Sequence, residues 1–175
     1  MPRIAEAPGP CAVPLDIVFV IDSSGSINFA DNGNWNRVLA FTNELVSKYI
    51  IGSRYTQVGV VRFSTRVENS LFLNQYSSKS LLMNAISRIS YERQSTFTAG
   101  GIKEMRTVQF TQQHGDRPWA QNVAIVITDG ESVIQPERTL PEAQAAHGQG
   151  IKVFSVGITN KVDVAEVSGC TCHIS

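Results

Sequence analysis

The stretch Leu15-Asp16-Ile17-Val18-Phe19-Val20-Ile21-Asp22-Ser23-Ser24-Gly25-Ser26 decides how the rest of the chain is read. From Ile17 to Ile21 it is continuously apolar and mostly β-branched, as a strand buried on both faces of a parallel sheet must be. The apolar run stops at Asp22 and gives way to a polar loop, which Asn32, Gly33 and Asn34 extend. Asp22, Ser24 and Ser26 stand at alternate positions, so an extended backbone turns their side chains the same way. One carboxylate and two hydroxyls are hard oxygen donors, which suit Mg²⁺ or Mn²⁺ rather than Zn²⁺. An ion held by few carboxylates keeps positive charge and exchangeable waters, and can then accept a carboxylate from a partner. Gly25 reads as the residue that permits a tight backbone between the two serines. Taken alone, the same three residues could equally turn the chain and cap the next helix.

Outward from this segment, the chain alternates. Residues 35–49 place Trp35, Val38, Leu39, Leu45 and Val46 at helical spacing. Residues 56–64 and 67–73 read as two strands paired antiparallel through a turn near Thr65 and Arg66. A helix capped by Ser77 or Ser78 carries Leu81, Leu82, Ile86 and Ile89. A polar stretch over 91–98 precedes a helix over 101–112. Residues 123–127 form a second fully apolar strand, ending at Thr128-Asp129-Gly130-Glu131. A short helix over 140–147 and a strand over 151–158 follow. Alternating helices and apolar strands predict an α/β fold, doubly wound, with a mostly parallel sheet and helices on both faces. Ligands of such sheets sit beyond the carboxyl ends of the strands, where the strand order switches. Two buried strands end there in an aspartate, Asp22 and Asp129.

At these residues a family resemblance becomes specific. Residues 17–26 resemble the first strand and DxSxS loop of von Willebrand factor type A domains. Residues 123–131 (VAIVITDGE) resemble that family's fourth strand, which ends in a metal-site aspartate. Between them, Ser95-Thr96-Phe97-Thr98-Ala99-Gly100-Gly101-Ile102 resembles the loop that supplies the family's metal-site threonine. The resemblance runs from about Cys11 to Ile158. It implies a metal-ion-dependent adhesion site around Mg²⁺ or Mn²⁺, with Asp22, Ser24, Ser26, Thr96 and Asp129 around the ion and Thr98 as the second threonine candidate. It is closest in style to extracellular matrix A domains of the matrilin and collagen VI type, and also covers integrin I domains. The family has a further strand and a long final helix after the strand ending at Ile158. Residues 162–175 are too few for both, so the expected domain, 13–175, lacks its last strand and helix. The 129–140 segment also leaves no room for the extra helix of collagen-binding integrin I domains.

Composition bounds the alternatives. The chain has 175 residues, enough for one substantial core. Fifteen basic residues balance fifteen acidic ones, which argues against a general nucleic-acid or anionic-membrane binder. No apolar run is long enough to span a bilayer. Residues 1–12, with Pro2, Pro8, Gly9 and Pro10, read as a leader without a signal peptide's apolar core. Cys11, Cys170 and Cys172 permit a disulfide from Cys11 to either of the others, or three free thiols; an extracellular setting favours the disulfide.

The expected function is an extracellular adhesion module that takes an acidic residue of a matrix or cell-surface protein through its cation, with self-association as a further possibility. The alternative is a structural matrix-assembly domain in which the metal is dispensable. An enzyme of the haloacid dehalogenase type would need a second aspartate two residues after Asp22, where Ser24 stands. Trp35 and Trp119 are expected as packing residues, Asp16 as a local cap or pair, Phe97 as a rim contact or a packing residue, and Glu131 as a solvated charge.

Overall fold

The computed structural model describes residues 9–28, 31–129 and 132–158. Leu15–Asp22 (β1), Gln57–Phe63 (β2), Val67–Leu71 (β3), Gln121–Thr128 (β4) and Lys152–Gly157 (β5) form one sheet. Its strand order is β3-β2-β1-β4-β5. β1 pairs parallel with both neighbours, setting Val18 opposite Gly59 on one side and Ala124 on the other. β4 and β5 are parallel, and β3 is the antiparallel edge strand reached through the turn after β2.

The two-sided burial expected of β1 follows from this central place. Ile17, Phe19 and Ile21 enter one core with Val58, Val60 and Ile125, covered by Asn34–Ser47 (α1) and Lys79–Ser87 (α2). Val18 and Val20 enter a second core with Val61, Phe63, Ala124 and Val126. That face is covered by Thr98–Glu104 (α3), its π-helical continuation Met105–Gln109, and Thr139–Gly148 (α4). Each face thus takes alternate residues of the same strands, as a period of two requires. The connections leave β1 and β4 toward opposite edges, so these neighbouring strands make the switch point, with a crevice at their carboxyl ends.

α1 buries Trp35, Val38, Leu39, Thr42, Leu45 and Val46, the i, i+3, i+4 pattern of a single stripe. Ser78 occupies the N-cap of α2 in an extended conformation, yet its side chain makes no cap bond; its Oγ lies 3.1 Å from Ser80 Oγ instead. α3 starts three residues before the expected position and takes in both Gly100 and Gly101. Two glycines weaken a helix by propensity, but here they admit close packing. A Cβ on Gly101 would lie 2.8 Å from the Phe63 ring and 3.0 Å from Val20. The expected helix through 112 ends as a π-turn that buries Gln109, whose Nε2 donates to the Leu71 carbonyl and Asn69 Oδ1.

Two expectations at the amino end of the sheet are corrected. Asp16 is fully buried and pairs with Arg117, 101 residues away, rather than locally. Trp119 is 68% exposed, so only Trp35 of the two tryptophans packs in the core. Trp35 stacks on Tyr91 at 5.2 Å and donates its indole N–H to the Ile89 carbonyl. The expected loss of a last strand and helix concerns residues beyond Ile158, and the disulfide partners Cys170 and Cys172 are among them; these lie outside the described residues. Most of the expected leader lies outside them as well. Cys11 itself bridges to Tyr49, its amide donating to the Lys48 carbonyl and its carbonyl accepting from Ile50 N–H. Among the described residues, no helix is long and apolar enough to cross a membrane.

Candidate functional site

β1 ends in Asp22 and β4 passes through Thr128 into Asp129, so both carboxylates reach the crevice from adjacent strands. Asp22 is fully buried and Asp129 half-buried. The Asp22 carboxylate is held at both oxygens. Ser24 N–H donates to Oδ1 at 2.8 Å, and the Thr128 hydroxyl donates to Oδ2 at 2.8 Å. Ser24 Oγ lies 3.0 Å from Ser26 Oγ, and Ser26 Oγ donates to Asp129 Oδ1 at 3.0 Å. The two aspartates are therefore joined through the two serines, by the Ser24 amide at Asp22 and by the two hydroxyls up to Asp129. The alternation of Asp22, Ser24 and Ser26 does bring their side chains to one side, although Gly25–Asn28 is a 3-10 turn rather than extended chain.

The loop is fixed from its flank. Residues 93–94 run beside it: Arg93 N–H donates to the Ser23 carbonyl at 2.9 Å, and Gly25 N–H donates to the Gln94 carbonyl at 2.8 Å. Gly25 has no left-handed backbone; a Cβ there would lie 3.3 Å from the Arg93 carbonyl oxygen, so glycine serves close approach rather than a special turn. Thr96 follows this pairing by two residues. The backbone carbonyl of Thr96 accepts from Val133 and Ile134 N–H, both at 2.9 Å, which ties its loop to the segment after Asp129. Thr96 is buried, and among the described residues no hydrogen bond joins its side chain to Asp22, Ser24, Ser26 or Asp129. Thr98, the second threonine, opens α3 with its hydroxyl buried and, among the described residues, without a hydrogen-bond partner. Phe97 lies between them as a packing residue: its ring covers Gly100, where a Cβ would come within 2.5 Å of it. Glu131 lies outside the described residues.

Burial pushes the Asp22 carboxyl above the ordinary carboxylate range. Hydrogen bonds from Ser24 and Thr128 oppose the rise, and the nearby Asp129 adds to it. Among the described residues, neither Asp22 nor Asp129 has a basic side chain within ion-pair distance, whereas Asp16, Asp31, Glu68, Glu92 and Glu142 each do. Nor is there, among the described residues, a cluster of three or more His, Cys, Asp or Glu side chains. The donor set is two carboxylates with hydroxyls. That set fits a hard divalent cation, which would supply the positive charge that these acids lack.

Two residues of the site escaped the sequence reading. Thr128 orients Asp22; the only signal was a hydroxyl beside a strand-terminal acid. Tyr91 closes the far side: its hydroxyl donates to the Ser24 carbonyl at 2.7 Å and accepts from Asn28 N–H at 3.3 Å. That contact spans 67 residues and has no local signature.

The von Willebrand factor type A domain model matches residues 16–172. Integrin alpha-1 of Gallus gallus is 39% identical over 130 residues, covering 74% of this chain and 44% of that protein. Matrilin-1 of Mus musculus is 33% identical over 148 residues, covering 85% of the chain and 28% of the relative. Among solved structures, proximal thread matrix protein 1 from the mussel byssus superimposes with a TM-score of 0.80 at 27% identity, covering 86% of this chain and 39% of the other. A further structure of that protein has a zinc-occupied MIDAS motif, with a TM-score of 0.75 at 29% identity, covering 85% and 36%. The chain spans less than half the length of each of these proteins. The extent of the family match and the superposition of the fold agree: this chain belongs to the von Willebrand factor type A domain family, whose domains occur in adhesion and matrix proteins.

Proposed function

We propose that this domain is an extracellular adhesion module whose crevice holds a divalent cation, Mg²⁺ or Mn²⁺, and binds an acidic residue of a matrix or cell-surface protein through it. The observation that carries this reading is the pair of strand-terminal carboxylates, Asp22 and Asp129, joined through Ser24 and Ser26 without a basic partner among the described residues. Asp22, Ser24, Ser26 and Asp129 would hold the ion, with Thr96, two residues beyond the Gln94 that pairs with the serine loop, as the further ligand. When bound, the cation would supply the Lewis-acidic charge that a partner's carboxylate needs. The protein's own part is orientation. Thr128 and Ser24 N–H hold Asp22 in one rotamer, and Tyr91 clamps the serine loop. The zinc-occupied motif of the mussel protein supports a cation at this place in the fold and adds Zn²⁺ to the ions worth titrating.

The test is thermal unfolding of the wild type and Asp129→Ala in EDTA, Mg²⁺, Mn²⁺ and Zn²⁺, followed by binding to immobilised matrix proteins. An ion that binds only the folded state raises the midpoint. The expected result is a rise for wild type, none for Asp129→Ala, and adhesion abolished by EDTA. Cooperative unfolding that ignores every ion, with adhesion surviving EDTA, would replace this reading with a metal-independent matrix-assembly role.

A further inference from the structure

Behind the cation loops, between α3, α4 and the sheet, lies a cavity of about 410 Å³. That is within the range of small-molecule sites. Its walls are mainly apolar, from Ile102, Val126, Ala143 and Val153. Threonine and serine side chains interrupt them, and two of their hydroxyls stand out. Thr98 is only 6% exposed, yet among the described residues its hydroxyl has no hydrogen-bond partner, and neither has the buried Thr139 hydroxyl. An orphaned buried hydroxyl is costly, and native structures satisfy most of them. Two at one apolar cavity describe a complementary ligand: compact, largely apolar, with a hydroxyl or carbonyl oxygen.

The cavity also touches the cation loops directly. Thr128 lines it and donates to Asp22 Oδ2. Ser132 lines it, accepts from Thr98 N–H at 3.3 Å, and sits 3.3 Å from the Thr96 carbonyl. A molecule bonded to the Thr98 hydroxyl therefore lies against the residues that orient both loops.

We infer that this cavity is a second binding site, for a small apolar molecule bearing one hydrogen-bonding oxygen, and that its occupancy is coupled to the cation site through Thr128 and Ser132. The site itself stands on the cavity and its orphaned hydroxyls; the coupling rests on the cation reading above. No catalytic step is involved, and linkage makes the coupling reciprocal.

The test is methyl NMR of the domain titrated with cyclohexanol and cyclohexanone, with and without Mg²⁺. Saturable shifts are expected at the methyls of Ile102, Val126, Ala143 and Val153. Ala143→Leu, which fills the cavity, abolishes them. Thr98→Val, which keeps the shape and removes the hydroxyl, weakens binding roughly two- to tenfold, the worth of one net hydrogen bond. It also raises the thermal midpoint of the free protein, because an orphan is removed. A saturating probe changes the midpoint of the Mg²⁺ titration. Absence of saturable shifts in the wild type, or shifts that persist in both variants, overturns the site. An unchanged Mg²⁺ midpoint at saturation overturns the coupling. If Mg²⁺ itself has no effect, the cation reading fails, while the probe titration still decides the cavity.

Discussion

Asp16 and Asp22 lie near the two ends of one strand, both fully buried and both raised above the ordinary carboxylate range by that burial. Their surroundings differ in kind. Asp16 meets Arg117 at both oxygens: backbone N–H to Oδ2 at 2.9 Å, and Nε and a terminal nitrogen to Oδ1 at 3.0 and 2.8 Å. The same guanidinium donates to the carbonyls of Leu15, Ser53 and Tyr55. One cation thus closes the amino end of the sheet against two loops. Among the described residues, Asp22 receives only neutral donors and faces a second carboxylate. A buried acid with an arginine is complete within the chain; a buried acid beside another acid lacks a positive charge. The first arrangement is a structural clamp, and the second supports a site made for something from outside.

The largest expected effect is at the clamp. Arg117→Ala leaves Asp16 charged, buried and unpaired, and is expected to cost about 3–5 kcal/mol in chemical denaturation. The cation-induced shift of the remaining folded protein should persist. Loss of that shift with Arg117 would mean the two ends are not independent.

Next comes the cation itself. At a hundred times its dissociation constant, Mg²⁺ should stabilise the wild type by about 2.7 kcal/mol. Asp22→Asn should remove that gain while staying within about 1 kcal/mol of wild type in EDTA, because the amide retains the shape and an acceptor. An Asp22→Asn domain that collapses in EDTA would make Asp22 a second clamp and erase the contrast.

A pH series sharpens it further. The folded pKa of Asp22 is raised above 3.8, so in EDTA its contribution to stability is full below 3.8 and is lost as pH rises through the raised value. A cation requires the ionised form, so the Mg²⁺ shift has the opposite slope and fades on acidification sooner than an ordinary carboxylate would allow. The difference between wild type and Asp22→Asn isolates both slopes from the parallel titration of Asp16. Identical slopes with and without Mg²⁺ would remove Asp22 from the cation's environment.

The smallest effect is at Trp119, which shares the amino end with the clamp but is 68% exposed. Trp119→Ala should change stability by less than about 0.5 kcal/mol. Trp35→Ala, from the core, should cost about 3–5 kcal/mol. Comparable costs would place Trp119 in the packing after all.

How much was legible follows from which forces are local. The central strand was readable because burial on both faces leaves an unbroken apolar run from Ile17 to Ile21. The grouping of Asp22, Ser24 and Ser26 was readable because their spacing lies within one loop. Less legible were elements where packing overrides propensity. α3 starts through Gly100 and Gly101 because the helix must approach Phe63 and Val20, and no residue near the glycines announces that.

By itself, then, the sequence determined the alternation of strands and helices, the antiparallel return after β2, and the two acids that end β1 and β4. Each depends on side-chain period or chemistry within a few residues. Only the tertiary structure decided that Asp16 belongs to Arg117, that Tyr91 and Thr128 hold the serine loop and its aspartate, and that Trp35 is core while Trp119 is surface. Those are pairings across 54 to 106 residues. They are chosen by strand order and by which face each helix covers, and a buried polar group takes whichever partner that arrangement delivers.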